Sequence, residues 1–468
     1  MYCKLKLKNI QDDKKSFIIY FALSLLLLIP LHYVLTWEFG FKGSLELLLI
    51  SFSVAALFNF SFTFYIFLSL IFVQMIFVVH PSVVFSFFLL ISALLNFKGE
   101  LLNEIKNPLA KPLLIYFVLT IPSFINSAAP LFSLMDYSNL VGLIVVFFVV
   151  VIDFSSGKKI INVFYFFIVA MLLHSIFVDY LGITSNRRAF GLLGVYYIDF
   201  AGLGGVLSFI SVLYSRGLKR IVMSMIFIVI TMGLILTQTR NAWFSFGFAI
   251  FTLLIFLFVK GRSFHIKRNL VLIIFVATII LSLALIISTG QLGSKIENRF
   301  DLKSQTVVVD NDPNSLGENS LASRALIWHT AAMAFLEHPI IGIGSYSFRY
   351  TSGLYFKIPK SFYKLFVVNR TPHVTYIQVI TETGIIGLLG FIFFIISIVR
   401  LLVKTLKYNH TEYDVERSLM IVWSLIYILF SMFMTESWLY GQYIMWFGIL
   451  LGFLIINSRL LQKNTNEN

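Results

Sequence analysis

Cysteine is almost missing from this chain, with one, Cys3, in 468 residues. A lone thiol excludes an intramolecular disulfide framework and any cysteine-based metal cluster. Cys3 also precedes the first apolar run, so it is not a lipid-modified cysteine following a signal h-region. Charge is scarce as well. Only 12% of the residues are Asp, Glu, Lys or Arg, against roughly 25% in a soluble domain. Internal repeats and low-complexity linkers are lacking too. What fills the chain is apolar: 59% hydrophobic residues, with 51 Phe and 21 Tyr, and a mean hydropathy of +0.90. A water-soluble chain of this length cannot hide so much apolar surface, so its solvent is largely lipid.

With about 20 apolar residues per span as the yardstick, the chain divides into up to fourteen segments. They lie near 17–36, 45–58, 61–79, 83–97, 112–127, 138–152, 160–180, 197–214, 219–237, 242–259, 270–289, 376–403, 418–434 and 440–457. Two of them, 45–58 and 83–97, are short, which puts the expectation at about 12–14 helices of an all-α polytopic membrane protein. The N-terminus "MYCKLKLKNIQDDKKSFIIYFALSLLLLIPLHYVLT" has a basic head and an apolar run longer than a cleavable h-region of about 7–15 residues. It reads as an uncleaved first span. If the N-terminus is inside, the inner loops hold 23 of the 36 Lys and Arg residues, as the positive-inside rule asks, and both termini are cytoplasmic. The net charge of +14 is then mostly a topology signal. Scattered over many short loops, it does not form the single basic patch of a nucleic-acid binder. The expected organisation is an N-terminal bundle over 1–289 (about eleven spans), a large outer loop over 290–375, and C-terminal helices over 376–468 (about three spans). Loops that long usually carry function.

The outer basic residues run against the charge rule and need their own reason. In "LTQTRNAWFS", residues 236–245, Arg240 stands at a helix end among Thr237, Thr239 and Ser245. Alone it reads equally as a snorkelling arginine with Trp243 as an interfacial anchor. In "ENSLASRALIWHTAAMAFLEHPIIGIGSYSFR", residues 318–349, Leu321, Ala325, Trp328, Ala332 and Phe335 recur at helical spacing. An amphipathic helix fits, capped by Ser320 or Ser323 and ended by Pro339, with Gly342 and Gly344 in a tight turn. Arg324 and Trp328, four apart, share a face. In "TPHVTYIQVITETGIIGLLG", residues 371–390, Pro372 fits a helix start, which puts His373 in the first turn. Gly384, Gly387 and Gly390 permit close helix packing.

Each motif has a bland reading: a solvated arginine, a surface helix, a capping histidine. Together they place Arg240, Arg324 and His373 on one side of the membrane. Two arginines suit bidentate gripping of phosphate. A histidine can take a proton from a hydroxyl near neutral pH. A diphosphate at the membrane surface with an attacking hydroxyl is the chemistry of a polyprenyl-diphosphate-linked sugar.

The order "TRNAW", then "SRALIWHTAAMAFLEHPIIGIGSYSF", then "PHVTYIQVITETGIIGLLG" resembles the O-antigen ligase and polymerase superfamily over about residues 236–390. In the family the histidine is usually followed by asparagine, whereas Val374 stands there in this chain. The resemblance implies a GT-C-like fold in the bacterial cytoplasmic membrane with the active site facing the periplasm. It also implies metal-independent glycosyl transfer, without a cofactor, from a glycan on undecaprenyl diphosphate. Arg240 and Arg324 would hold the diphosphate as it leaves, and His373 would orient or deprotonate the acceptor hydroxyl. Arg187, Arg188, Arg349 and Arg370 are further candidates for glycan or phosphate contact, with Trp328 beside them. A chain-length regulator, a flippase and membrane lipid would be the partners.

Among the family's activities, the many spans and the Phe-rich remainder favour an O-antigen or capsule polymerase over a ligase that passes the glycan to lipid A core. A third reading is a lipid-linked oligosaccharide flippase. Transporters place ionisable groups inside spans, and here Asp199 and Glu436 come nearest to that. A structured loop on one face argues against alternating access. Finally, Asp310 and Asp312 form a D-x-D in "VVVDNDPN", but Asn-Asp-Pro-Asn is turn chemistry and the expectation is no metal.

Overall fold

The computed structural model describes residues 60–72, 83, 86–87, 89–91, 103–154, 156–185, 193, 197–260, 320–357, 363, 367–408, 412–435 and 441–467. The protein is an all-α polytopic membrane protein, with no strand among the described residues. In chain order the helices are α1 (Phe60–Ile71), α2 (Ala110–Thr120), α3 (Pro130–Asp153), α4 (Gly157–Ser185), α5 (Tyr197–Tyr214) and α6 (Gly217–Leu236). They continue as α7 (Arg240–Lys260), α8 (Ser320–Glu337), α9 (Phe348–Tyr355), α10 (Thr375–Lys407), α11 (Glu412–Ser431) and α12 (Gly441–Glu467). A 3₁₀ turn, Ile121–Asn126, follows α2. Among the described residues seven helices are long and apolar enough to cross a membrane: α3, α4, α5, α6, α7, α10 and α12. The expected spans from 112–127 to 242–259 and from 376–403 to 440–457 all fall on helices. Those at 17–36, 45–58 and 270–289 lie outside the described residues.

The core sits where α5, α11 and α12 cross. These helices are buried along most of their length, enclosed by other helices. Phe200, Tyr427, Trp423, Trp446 and Phe453 are fully or almost fully buried there. Phe167 packs on Trp446 with ring centroids 4.4 Å apart. α6 and α7 lie further out and expose Met225, Phe251 and Phe258 to what is lipid in a membrane.

One end of the bundle carries most of the described basic residues and a set of ionic locks. Arg459 grips Glu104 through two bonds of 3.0 and 2.6 Å. Lys219 donates to the Tyr165 hydroxyl at 2.8 Å, and that hydroxyl donates to Glu416 at 2.8 Å. Deeper in, Arg417 donates to Asp414 at 2.7 Å and to Asn457 at 2.6 Å. The Arg417 and Asp414 side chains are only 3% and 6% exposed. Gly157 leaves them room, since a Cβ there would lie 1.9 Å from an Arg417 terminal nitrogen. Removing one partner of a buried pair strands the other charge, which costs about 3–5 kcal/mol. Arg417→Ala should therefore lower the thermal midpoint of the purified protein clearly, whereas Arg459→Ala, at a half-exposed pair, should move it little.

The opposite end carries a small polar cap built from α8 and α9. It has its own core of Ile327, Ala331, Ala334, Ile343, Phe348, Tyr355 and Val367. The face that α8 buries is not the one its large side chains trace. Ser323, Ile327, Thr330, Ala331 and Ala334 are buried. Ala325, Trp328 and Ala332 are exposed. Small residues let α8 lie close on α10, with the Thr381 hydroxyl reaching the Ala331 carbonyl at 3.4 Å, so bulk is turned outward. Ser323 lies inside α8 rather than capping it, and the helix begins at Ser320.

Candidate functional site

The cap is fastened to the bundle at a break in α10. Gly384 has φ 65°, outside the helical region. In an unbroken helix Thr381 and Glu382 would accept from the amides of Ile385 and Ile386. Instead Thr381 and Glu382 accept from Ile343 and Gly344 at 3.2 and 3.0 Å. The Ile385 and Ile386 amides donate to Pro339 and Ile340 at 2.9 and 3.2 Å. Two helical bonds are thus exchanged for four bonds to the turn after α8. The carbonyls of Thr381 and Glu382 and the amides of Ile385 and Ile386 all keep a partner across the break, as an apolar surrounding requires. The approach is close enough to demand glycine. A Cβ on Gly342 would lie 2.3 Å from the Glu382 carbonyl oxygen, and one on Gly384 would lie 2.4 Å from that of Ile340. "HPIIGIG" and "ETG" are two halves of one clasp.

A second junction gathers the three sequence motifs. The Trp328 indole donates to the Pro372 carbonyl at 2.8 Å, which ties the Arg324 helix to the residue before His373. The Arg370 guanidinium donates to Ser323 at 3.0 Å, beside Arg324. The Thr375 amide and hydroxyl donate to Met432 and Thr435 at 3.0 and 2.8 Å. The Asn241 side chain, next to Arg240, donates to the neighbouring Met434 carbonyl at 2.8 Å. Arg240, Arg324 and His373 therefore stand each within one or a few residues of a single bonded network. Arg240 is the first residue of α7, as the sequence pattern predicts. All three residues are partly exposed.

His373 differs from its expected place in the first turn. The helix begins at Thr375, and His373 precedes it with φ 58°. The Thr375 amide is spent on Met432, so the α11–α10 junction rather than Pro372 fixes where the helix starts. Among the described residues the non-glycine residues with positive φ are Gln238, Tyr346, Asn369 and His373. Left-handed backbone costs a non-glycine residue about 1–2 kcal/mol, and such positions concentrate at ligand clamps and active sites. Here all four lie on segments next to the motif arginines and the histidine. Trp243 locks one of these segments, with its indole donating to the Leu234 carbonyl at 3.0 Å across the Gln238 turn.

Arg349 lies at the start of α9 and donates to the Tyr346 hydroxyl. Burial pushes the Tyr346 phenol up from its ordinary range, opposed by the bond and charge of Arg349. Arg187, Arg188, Asp310 and Asp312 lie outside the described residues. The sequence patterns miss what stands behind this arginine: Glu382, Asp136 and a line of hydroxyls from Ser127, Ser133 and Ser347. Glu382 lies in the quoted motif, where its spacing gave no partner. Asp136 comes from α3 and carries no motif around it.

If Trp328 serves to hold the arginine helix to the His373 segment, its ring alone is not enough. Trp328→Phe keeps the aromatic body and loses one indole bond, a loss of about 1 kcal/mol. It should lower the transfer activity proposed below several-fold with the protein accumulating normally, as measured in isolated membranes.

The geometry thus defines a helical membrane protein with a folded cap clasped to one end of its bundle, in which the His373 segment is bonded to α8 and to the end of α11, where the start of α7 is also bonded. Residues 225–392 match the family model described as O-Antigen ligase. Over those residues, well under half of the chain, the protein is similar to the O-antigen ligase family. The match covers all three motifs and both halves of the clasp. It leaves out α3 and the 3₁₀ turn, which also reach the site. No curated protein matches the chain.

Proposed function

We propose that the protein polymerises lipid-linked glycan repeat units, of O-antigen or capsule, at the periplasmic face of the inner membrane. The convergence of the arginine-bearing helix starts on the His373 segment carries this reading. Arg240 and Arg324 bind the diphosphate of an undecaprenyl-diphosphate-linked donor and stabilise the charge that builds on it. His373 orients the acceptor hydroxyl and takes its proton. The hydroxyl oxygen attacks the anomeric carbon, the bond to the diphosphate oxygen breaks, and the lipid diphosphate departs with the bonding electrons. Attack from the face opposite the leaving group inverts the anomeric centre. No metal is needed, since two guanidinium groups supply the charge. A flippase delivers the donor, and a chain-length regulator acts beside the enzyme.

The family description favours a second reading, transfer of the finished glycan to lipid A core. A lipopolysaccharide gel from a strain lacking the gene, beside the complemented strain, separates the two. Core bearing a single repeat unit, with the ladder lost, supports the polymerase. Bare core with polymer stranded on the lipid carrier supports the ligase. An unchanged lipopolysaccharide ladder together with unchanged capsule would overturn both.

A further inference from the structure

Beyond the clasp, residues 344–349 form an arch that leads into α9 and ends at Arg349. Two of its amides are held by one side chain. Glu382, 2% exposed, accepts from the Tyr346 amide at 2.9 Å and the Phe348 amide at 3.2 Å. It also takes the Gln378 amide at 3.1 Å. From the other side Asp136, also 2% exposed, accepts the Ser345 hydroxyl. Ser133 donates to the Ser345 carbonyl at 2.6 Å. Asn126 donates to Gly342 at 3.0 Å, where the turn enters.

Stability does not explain this arrangement. Burying a carboxylate is costly unless its oxygens are all supplied with donors. Yet Asp136 Oδ1 is buried and has no hydrogen-bond partner among the described residues. The arch also holds Tyr346 at φ 56°, a strained value, through the very amide that Glu382 binds. What the strain and the two buried acids achieve is the placement of the end of the arch. Tyr346 receives the Arg349 guanidinium, and Tyr350 stacks on Phe132 of α3 with ring centroids 3.8 Å apart. Arg349 is left half-exposed while Ser345, Ser347 and Phe348 around it are buried.

We propose that Glu382 and Asp136 are positioning residues that set this arch so that Arg349 meets the phosphate-bearing, lipid-linked glycan. The proposal rests on the transfer reading above. It also gives α3, which lies outside the family match, a part in building the substrate site.

A double-mutant cycle tests it, with transfer from the lipid-linked glycan measured in membranes for wild type, Glu382→Gln, Arg349→Ala and the pair. Glutamine keeps the shape but sets an NH₂ against an arch amide. If Glu382 acts through Arg349, each single change lowers transfer about tenfold or more, and the double variant is within about twofold of Arg349→Ala alone. A merely structural Glu382 gives the same further loss in both backgrounds, which overturns the proposal. Should Glu382→Gln not accumulate, Asp136→Asn replaces it in the cycle and is judged the same way. Arg349→Ala at the wild-type rate sinks this inference and leaves the transfer reading standing. Absence of transfer by wild type sinks both.

Discussion

Arg324→Ala and Arg240→Ala are each expected to lower transfer by about 100-fold or more, the scale of losing one preorganised donor to a developing anion. In the proposed reaction the leaving group is a diphosphate, and its charge grows as the glycosidic bond breaks. A guanidinium placed for that moment stabilises the transition state more than the bound donor, so the loss falls on the rate of transfer. Both residues are partly exposed, and Arg324 stands at the edge of the face on which α8 packs through Ile327, Ala331 and Ala334. Truncation should therefore leave accumulation near normal. Lysine restores the charge but not the planar fork, so Arg324→Lys and Arg240→Lys should recover little of the activity. Lys357→Ala is the control. Lys357 pairs with Glu337 at 3.2 Å with side chains 55% and 44% exposed, a surface pair worth about 0–1 kcal/mol, and its loss should leave transfer unchanged. Wild-type product from a well-accumulated Arg324→Ala protein would defeat the diphosphate role.

Much of this was legible before any coordinates. Spans announce themselves because a lipid-facing helix must be apolar for about 20 residues, and "TRNAW" and the Arg324 helix could be placed from their flanks alone. What stayed hidden depends on partners far away in sequence. His373 reads as a first-turn residue because Pro372 is a good helix starter, but the Thr375 amide is taken by Met432 and the helix begins later. The apolar spacing in α8 runs through Leu321, Ala325, Trp328, Ala332 and Phe335. Packing on α10 favours Ala331 and Ala334 instead, and the indole finds a carbonyl at the edge. Gly384, Gly387 and Gly390 read as one small-residue stripe. Gly390 does approach α2, where its Cβ would lie 3.2 Å from the Tyr116 Cα, but Gly384 breaks the helix. Spacing cannot separate a glycine that packs from a glycine that bends. Asp136 was beyond reach, since a lone acid at the edge of an apolar run has no pattern until Ser345 is beside it.

Gly384→Ala is the second change expected to have a large effect, and it acts through folding. Alanine resists the left-handed φ of 65° at a cost of about 1–2 kcal/mol. Its Cβ would lie 2.4 Å from the Ile340 carbonyl oxygen and 2.5 Å from that carbonyl's carbon, backbone atoms that cannot swing aside. The easier course for the chain is to make α10 regular. Thr381 and Glu382 then take back the amides of Ile385 and Ile386, and the turn after α8 loses all four of its bonds to the helix. Ile343, Gly344, Pro339 and Ile340 would be left with unpaired groups, each costing about 1–3 kcal/mol where water cannot reach. The cap would come away from the bundle, taking Arg324 and Arg349 with it. Transfer should be lost, and the folded fraction on size-exclusion chromatography in detergent should fall. Gly342→Ala attacks the same clasp from the other side, with its Cβ 2.3 Å from the Glu382 carbonyl, and should behave alike. Gly247, inside α7, has nothing within 4 Å of its Cβ position, so Gly247→Ala should accumulate and transfer as wild type does. If Gly384→Ala were as active and as monodisperse as Gly247→Ala, the clasp would not be what holds the cap in place, and the arginine helix would need another anchor.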